Sequence, residues 1–193
     1  MTDLAERRGM DEQVYGPAED SRLLAGAARD AVEDGDLVLD VGTGSGYVAD
    51  VAREVGGRVV GSDVNPHACA AAREAGIPVV RGHLTHPFRA DAFDVVLFNP
   101  PYLPTPPEVA GDDWMERALS GGESGRRVVT PFLADVGRVL APDGECLLLV
   151  SSLTDIDEVT GTAAEHGLAT AEVAGEKHPF ERLVVLRLIT TEH

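Results

Sequence analysis

Leu39-Asp40-Val41-Gly42-Thr43-Gly44-Ser45-Gly46 is the stretch from which the fold is read. The apolar run Leu37–Val41 that leads into it reads as a short buried strand, and a helix follows from about Tyr47 to Val55. A glycine loop between a strand and a helix is the context a nucleotide-type ligand requires. The glycines let the backbone turn sharply and come close to that ligand. A second strand, Arg58–Ser62, ends at Asp63. In nucleotide-binding sheets a carboxylate at this place accepts hydrogen bonds from ribose hydroxyls. The glycine spacing is G-x-G-x-G with an acid at the end of the first strand, which departs from the dinucleotide pattern G-x-G-x-x-G.

Outward from this loop, strands and helices alternate. Ala18–Val32 reads as a helix, with Leu23, Leu24, Ala27, Ala28 and Val32 at helical spacing and Asp20 or Ser21 as its cap. Pro66 opens a helix to about Ala75. Ile77–Arg81 is a third strand, and Pro78 gives it an edge position or makes it a strand start. Phe93–Phe98 is a fourth strand, apolar enough for burial on both faces. A helix over Arg126–Leu140, stopped by Pro142-Asp143-Gly144, precedes a fifth strand, Cys146–Val150. A helix over Asp155–His166 leads to two final strands, Leu168–Ala174 and Arg182–Ile189. No long helix separates that last pair, so it is expected to be antiparallel. The expectation is an α/β chain: seven strands, mostly parallel, helices on both faces and an antiparallel last strand. The whole chain, 1–193, reads as one domain, with an N-terminal segment and helix over 1–35 and a core over 36–193.

The composition is globular, with 44% hydrophobic and 25% charged residues. No apolar run reaches the ~18 residues of a membrane span, and the polar start is no secretory signal. A cytoplasmic protein is expected. Cys69 and Cys146 lie in apolar contexts without metal-ligand spacing and read as buried thiols. Asp and Glu number 33 against 16 Lys and Arg, a formal charge of −17, and Lys177 is the single lysine. Such a balance repels a phosphate backbone. It fits a basic partner or, better, the lysine-poor surface of a halophile.

Asn99-Pro100-Pro101-Tyr102 follows the fourth strand. Ligands of open α/β sheets bind beyond the carboxyl ends of strands. Two prolines fix two φ angles and supply carbonyls without N–H groups. The Asn99 side-chain oxygen and the Pro100 carbonyl can then each accept one N–H of a planar NH2 group, with Tyr102 as a flat face. Such a clamp suits a weak nucleophile whose lone pair is delocalised. The loop from Asn99 to about Gly125 is too long for a mere connection.

The glycine loop with Asp40 resembles the first motif of class I S-adenosylmethionine methyltransferases, a Rossmann-like fold. The tetrapeptide is similar to that of glutamine N5-methyltransferases and of enzymes that methylate amino groups of nucleic acids. Further stretches narrow the choice. Val14-Tyr15-Gly16-Pro17-Ala18-Glu19-Asp20-Ser21 and Asn99-Pro100-Pro101-Tyr102-Leu103-Pro104-Thr105-Pro106-Pro107-Glu108-Val109 resemble motifs of the short HemK-type methyltransferases of archaea and eukaryotes. Trp114, Ala118-Leu119, Gly121-Gly122, Gly125-Arg126 and Val128-Val129 follow the same pattern.

The resemblance implies N5-methylation of the glutamine in the Gly-Gly-Gln motif of a class I translation release factor. It implies S-adenosylmethionine at Ser21, Asp40, Gly42, Thr43, Gly44, Asp63, Val64, His83, Leu84 and Asn99, with Asp40 near the methionine amino group. It implies catalysis by Asn99, Pro100, Pro101 and Tyr102. The short segment before the first motif is like that of the archaeal and eukaryal branch, whose members work with a small activating subunit. That subunit is expected beside the third strand, Ile77–Arg81. His83 stands where the family has an acid that reads adenine. A neutral histidine can accept a hydrogen bond, or the backbone does the reading.

Other readings are adenine-N6 methylation of DNA or RNA, lysine methylation, and a binding module with a residual cofactor pocket. A nucleic-acid enzyme would need a basic groove, and only Arg126-Arg127 cluster. A lysine substrate needs deprotonation, for which a clamp on NH2 is not built. The intact loop, Asp63 and Asn99 argue against decay. His67, His86, His166, His178 and His193 read as surface or loop residues. Arg126 and Arg127 open a helix against its dipole, which hints at a salt bridge from one of them to Asp112, Asp113 or Glu116.

Overall fold

The computed structural model describes residues 18–105 and 118–191. The motif residues Val14–Pro17, the stretch Pro106–Val109, Asp112, Asp113, Trp114, Glu116 and His193 lie outside the described residues. The elements are α1 (Glu19–Ala31), β1 (Leu37–Val41), α2 (Tyr47–Glu54), β2 (Arg58–Asp63), α3 (Pro66–Glu74), β3 (Val79–Arg81), β4 (Phe93–Phe98), α4 (Val129–Val139), β5 (Leu140–Ser151), α5 (Ile156–Glu165), β6 (Leu168–Lys177) and β7 (Arg182–Thr190). Among the described residues, seven strands form one sheet in the order β3-β2-β1-β4-β5-β7-β6. Pairing is parallel from β3 through β5. β7 runs antiparallel to both of its neighbours. The strand order reverses between β1 and β4, and such a switch point is where ligands bind in open α/β sheets.

The central strands are buried on both faces, as their continuous apolar runs predict. Alternate residues sort into two cores. Val38, Val95, Leu97, Leu147 and Leu149 pack with Leu24 and Ala28 of α1 and Val48 and Ala52 of α2. Leu39, Val41, Val96, Phe98 and Leu148 pack on the other face with Phe132, Leu133 and Val136 of α4 and Val159 of α5. The Phe98 and Phe132 rings lie 4.4 Å apart.

Several boundaries differ from the sequence reading. Neither Asp20 nor Ser21 caps α1: the N-cap is Ala18, without a side-chain bond. Both side chains are in the first turn and buried. β3 is three residues long. Ile77 is spent on closing α3, where its N–H reaches the Ala72 carbonyl and its side chain is buried. α4 starts only at Val129, so Arg126 and Arg127 precede the helix. Pro142-Asp143-Gly144 does not separate α4 from β5. The amides of Asp91 and Ala92 reach the carbonyls of Arg138 and Val139, and Phe93 pairs with Leu140, so β5 begins directly at the helix end. A register shift between Phe93 and Val95 absorbs the extra residues.

The connection from β3 to β4 is pinned to α4. Arg138 donates to the Phe88 and Thr85 carbonyls at 2.8 and 3.2 Å. It also grips both oxygens of Asp135 at 2.7 Å, and the Thr85 hydroxyl donates to Asp135 at 2.6 Å. The bond from Arg138 leads the causes that hold the Asp135 carboxyl below its usual range, with a smaller contribution from Thr85, against a partial burial that raises it. A carboxyl with a depressed pKa stabilises the fold above the ordinary value near ~3.9, and that contribution is lost on acidification. Asp135→Asn is expected to cost about 1 kcal/mol at pH 7, a fall of about 2–4 °C in melting midpoint, because the pair is partly exposed. The gap between the two proteins closes towards pH 3 in thermal melts.

Candidate active site

Register brings the site loops to one level. Val41 of β1 pairs with Ser62 of β2 and with Phe98 of β4, and Asp63 pairs with Arg81 of β3. Gly42, Asp63, Gly82 and Asn99 therefore leave the sheet side by side. They line a cleft of about 510 Å³, within the range of small-molecule sites. Gly42, Gly44 and Gly46 all have positive φ, at 63°, 55° and 84°, a conformation that side-chain-bearing residues rarely adopt. This is the physical content of the G-x-G-x-G spacing.

Of the expected cofactor residues, Ser21, Asp40, Gly42, Thr43, Gly44, Asp63, Val64, His83, Leu84 and Asn99 all line the cleft. Asp40 shares its face of β1 with Val38, beneath α2. It is 2% exposed. Its carboxylate accepts the Thr43 hydroxyl at 2.7 Å. Burial pushes its pKa up to about 7, against hydrogen bonds from Thr43 and the Ala49 backbone that lower it, and the nearby Asp63 raises it further. Asp63 is held by backbone donors on both oxygens, Gly44 N–H at 3.0 Å and Asn65 N–H at 2.8 Å. Burial raises its pKa, opposed by these bonds. A carboxylate oxygen accepts more than one hydrogen bond, so both keep acceptor capacity. Leu84 is buried with φ at 49°, and its carbonyl accepts the Ser62 hydroxyl at 3.4 Å. His83 is exposed, its ring tilted against His86 at 5.2 Å. Val64 is exposed.

The tetrapeptide is oriented by the first turn of α1. Asn99 donates through Nδ2 to the Ser21 hydroxyl at 3.3 Å. Tyr102 donates its hydroxyl to Asp20 at 3.2 Å, and Asp20 also accepts the Ser21 amide at 2.6 Å. With its amino end committed, the Asn99 amide turns its oxygen inward. Oδ1 is buried and has no hydrogen-bond partner among the described residues. Asn99 and Pro101 border both the cleft and a slot of about 30 Å³, which Pro100, Tyr102 and Leu119 also line.

Tyr102 borders the slot and not the large cleft. It is 5% exposed and packs in the core beside α1 and α2. Its ring backs the slot, and its hydroxyl anchors the turn. Asp20, which the sequence reading took for a helix cap, is the other half of that anchor. The signal for it was its place beside Ser21 in the N-terminal motif.

The chain beyond Tyr102 is fastened to a glycine-rich segment. The Leu103 N–H donates to the Leu119 carbonyl at 3.0 Å, and the Gly121 N–H to the Leu103 carbonyl at 2.9 Å. Arg126 donates to the Thr154 carbonyl at 2.7 Å. Arg127 lines the cleft and donates to the Ser120 carbonyl at 3.3 Å. Both arginines thus have backbone partners in the loop region. Gly125, with φ at 74°, leaves no room for a side chain: a Cβ there would lie 2.6 Å from the Tyr102 carbonyl oxygen and 2.7 Å from the Thr154 methyl.

The methyltransferase-domain family matches residues 39–100, the span from the glycine loop to Pro100. A Methanocaldococcus jannaschii protein, provisionally named as a protein N5-glutamine methyltransferase, is 35% identical over 90% of this chain and 90% of its own length. The mouse methyltransferase HEMK2 is 33% identical over 93% of this chain and 91% of its own. Among solved structures, a chain of the E. cuniculi Mtq2–Trm112 complex, responsible for methylation of the translation termination factor eRF1, superposes with a TM-score of 0.76. It is 29% identical and covers 92% of this chain and 98% of that one.

Two variants test this arrangement. Gly125→Ala pushes on the Tyr102 carbonyl and is expected to lower methyl transfer about 10- to 100-fold, while affinity for S-adenosylmethionine changes little, because a small displacement of reacting groups is costly. Single-turnover rates beside calorimetric titration separate the two effects. Asp40 at the amino end of the cofactor is an expectation with a pH signature: only the ionised carboxyl attracts an ammonium, so cofactor affinity is expected to rise with pH up to about 7 and then level off. Asp40→Asn should bind more weakly and lose that slope. A wild-type affinity flat between pH 6 and 8 would contradict the assignment.

Proposed function

Because the chain belongs to the HemK-type protein glutamine methyltransferases, we propose that it methylates N5 of the glutamine in the Gly-Gly-Gln motif of a translation release factor. S-adenosylmethionine is the cofactor. The cleft fits such a molecule: glycine backbone along one wall, acceptor carboxylates at Asp40 and Asp63, and apolar Val64 and Leu84. Asp63 would hold the ribose hydroxyls and Asp40 the amino end. Ser21 would lie near the cofactor carboxylate, and the backbone of 83–84 by the adenine. The cofactor supplies an electrophilic methyl group.

The observation that carries the reading is the buried, unpartnered Oδ1 of Asn99 beside a slot bounded by Pro100 and Pro101. A buried acceptor without a donor costs about 1–3 kcal/mol. A primary amide entering the slot removes that cost by donating one N–H to Oδ1 and the other to the Pro100 carbonyl. The residues then do two things. They hold the amide nitrogen in line with the methyl group, and they leave no room for water in its place. Orientation of this kind supplies ~7–11 kcal/mol in favourable cases. No strong base is required, since the methylated amide cation sheds its proton readily. Tyr102 supports the slot from behind through Asp20.

The chain acts as one methyltransferase unit, in the cytoplasm, in a heterodimer with a small activating subunit. The support for a partner is the E. cuniculi neighbour, itself solved as a Mtq2–Trm112 complex. The docking position is the β3 edge, where Val80 is exposed and, among the described residues, the strand has a neighbour on one side alone. The charge of −17 suits work at high salt.

The test is co-expression with the activating subunit and incubation with S-adenosylmethionine and release factor at high salt. Peptide mass spectrometry is expected to find one methyl group on the Gly-Gly-Gln glutamine. Asn99→Ala should lose at least a hundredfold in rate while its melting curve stays cooperative. Transfer to DNA or RNA adenine in place of the release factor would overturn the proposal.

A further inference from the structure

Phe180 is 93% exposed. The other four phenylalanines are buried or partly buried in the cores. Leu153 is 42% exposed. The two stand on adjoining segments of one rim. β5 continues past Leu148, the partner of Phe98 at the exit of β4, as far as Ser151. Ser151 pairs with Leu183 of β7, and β6 and β7 close at Lys177 and Arg182. The turn over 178–181 and the Ser152–Thr154 segment therefore lie beyond the same end of the sheet as Asn99.

The turn is held in place. The Arg182 N–H donates to the Ser152 hydroxyl oxygen at 2.9 Å. The Ser151 hydroxyl donates to Glu181 at 2.7 Å, and the His178 N–H to the Glu181 carbonyl at 2.8 Å. The His178 ring, 19% exposed, sits between two carboxylates, Nδ1 at 3.3 Å from Glu19 and Nε2 at 3.5 Å from Glu176. The first of these contacts ties the turn to α1, one residue before Asp20, which anchors Tyr102. At the other end, Thr154 receives Arg126 and faces Gly125.

We infer that Phe180, with Leu153 on the adjoining segment, is the docking contact for the folded protein substrate, outside the slot that takes the glutamine amide. The inference rests on the proposed methylation of a protein. Its grounds are continuity with the slot and the cost of the arrangement. An aromatic ring left in water forfeits the burial free energy of a core residue. Here it is presented on a tethered turn, so little conformational entropy is lost when it is covered. Large aromatic side chains of this kind dominate protein interfaces. An apolar pocket on the substrate, beside the segment bearing the glutamine, is the complementary surface. The β3 edge proposed for the activating subunit is at the opposite end of the strand order from β6 and β7, so the two partners do not compete.

The experiment uses the heterodimer with full-length release factor. Phe180→Ala is expected to raise KM for the release factor about tenfold with kcat within about twofold. Cofactor affinity and melting midpoint should match the wild type. Phe180→Leu should recover most of the loss, and Leu153→Ser should repeat it in part. An unchanged KM in Phe180→Ala, with an active wild type, overturns the docking assignment alone. A fall in kcat with KM unchanged overturns it too, since that describes a structural role. Concentration-dependent self-association in sedimentation, abolished by Phe180→Ala, would assign the ring to a second copy of this chain and overturn it likewise. A wild type that transfers no methyl to the release factor overturns both this inference and the function on which it rests.

Discussion

The parallel pairing of β1 with β4 is the constraint on which the site depends. Val41 lies level with Phe98, so the glycine loop and the Asn99 turn leave the sheet as neighbours. A slip of one residue would turn Asp40 out of its face and exchange the two cores, because strand side chains alternate with period two. Burial on both faces forbids that slip. Leu39, Val41 and Phe98 belong to the core under α4 and α5, and Val38, Val95 and Leu97 to the core under α1 and α2.

Within that frame the Asn99 turn is oriented by side chains, and α1 supplies them. Asp20 and Ser21 occupy the first helical turn, and Asp20 spends one oxygen on the Ser21 amide. Here Asp20 takes the Tyr102 hydroxyl and Ser21 takes the amino end of Asn99. The helix begins without a side-chain cap, and the amino end of Asn99 is committed while its buried oxygen keeps no partner among the described residues. A local rule broken at a site is a familiar mark of function. The same holds for the electrostatics. Asp40 and Asp63 are acids held in a buried setting that raises their pKa, a cost that a cationic or hydroxyl-bearing ligand relieves.

The second support comes from the segment after the long loop. Gly125 admits the Tyr102 carbonyl and the Thr154 methyl, while Arg126 closes on the Thr154 carbonyl. Thr154 in turn belongs to the short helix after β5, which carries the β6–β7 turn on its Ser152 hydroxyl. The Asn99 turn, the glycine segment at 121–125 and the outer rim are thus joined by direct contacts.

What the sequence determined by itself was local and periodic. The glycine spacing, the apolar runs and Asp63 at a strand end located the sheet and the glycine loop at the cleft, because strand burial and positive φ leave a direct mark on residue type. The tetrapeptide marked itself in the same way, since prolines constrain their own backbone. Tertiary structure decided what depends on partners distant in the chain. Asp20 read as a cap until Tyr102, far along the chain, claimed its carboxylate. Tyr102 reads as a flat face in the sequence, and core packing decides that this face borders the slot and not the cleft. β5 began where Phe93 captured Leu140, which no pattern within Pro142-Asp143-Gly144 reveals. Hydrogen bonds and core contacts between remote segments have no period in the sequence, so they become legible only when the sheet brings those segments to one end.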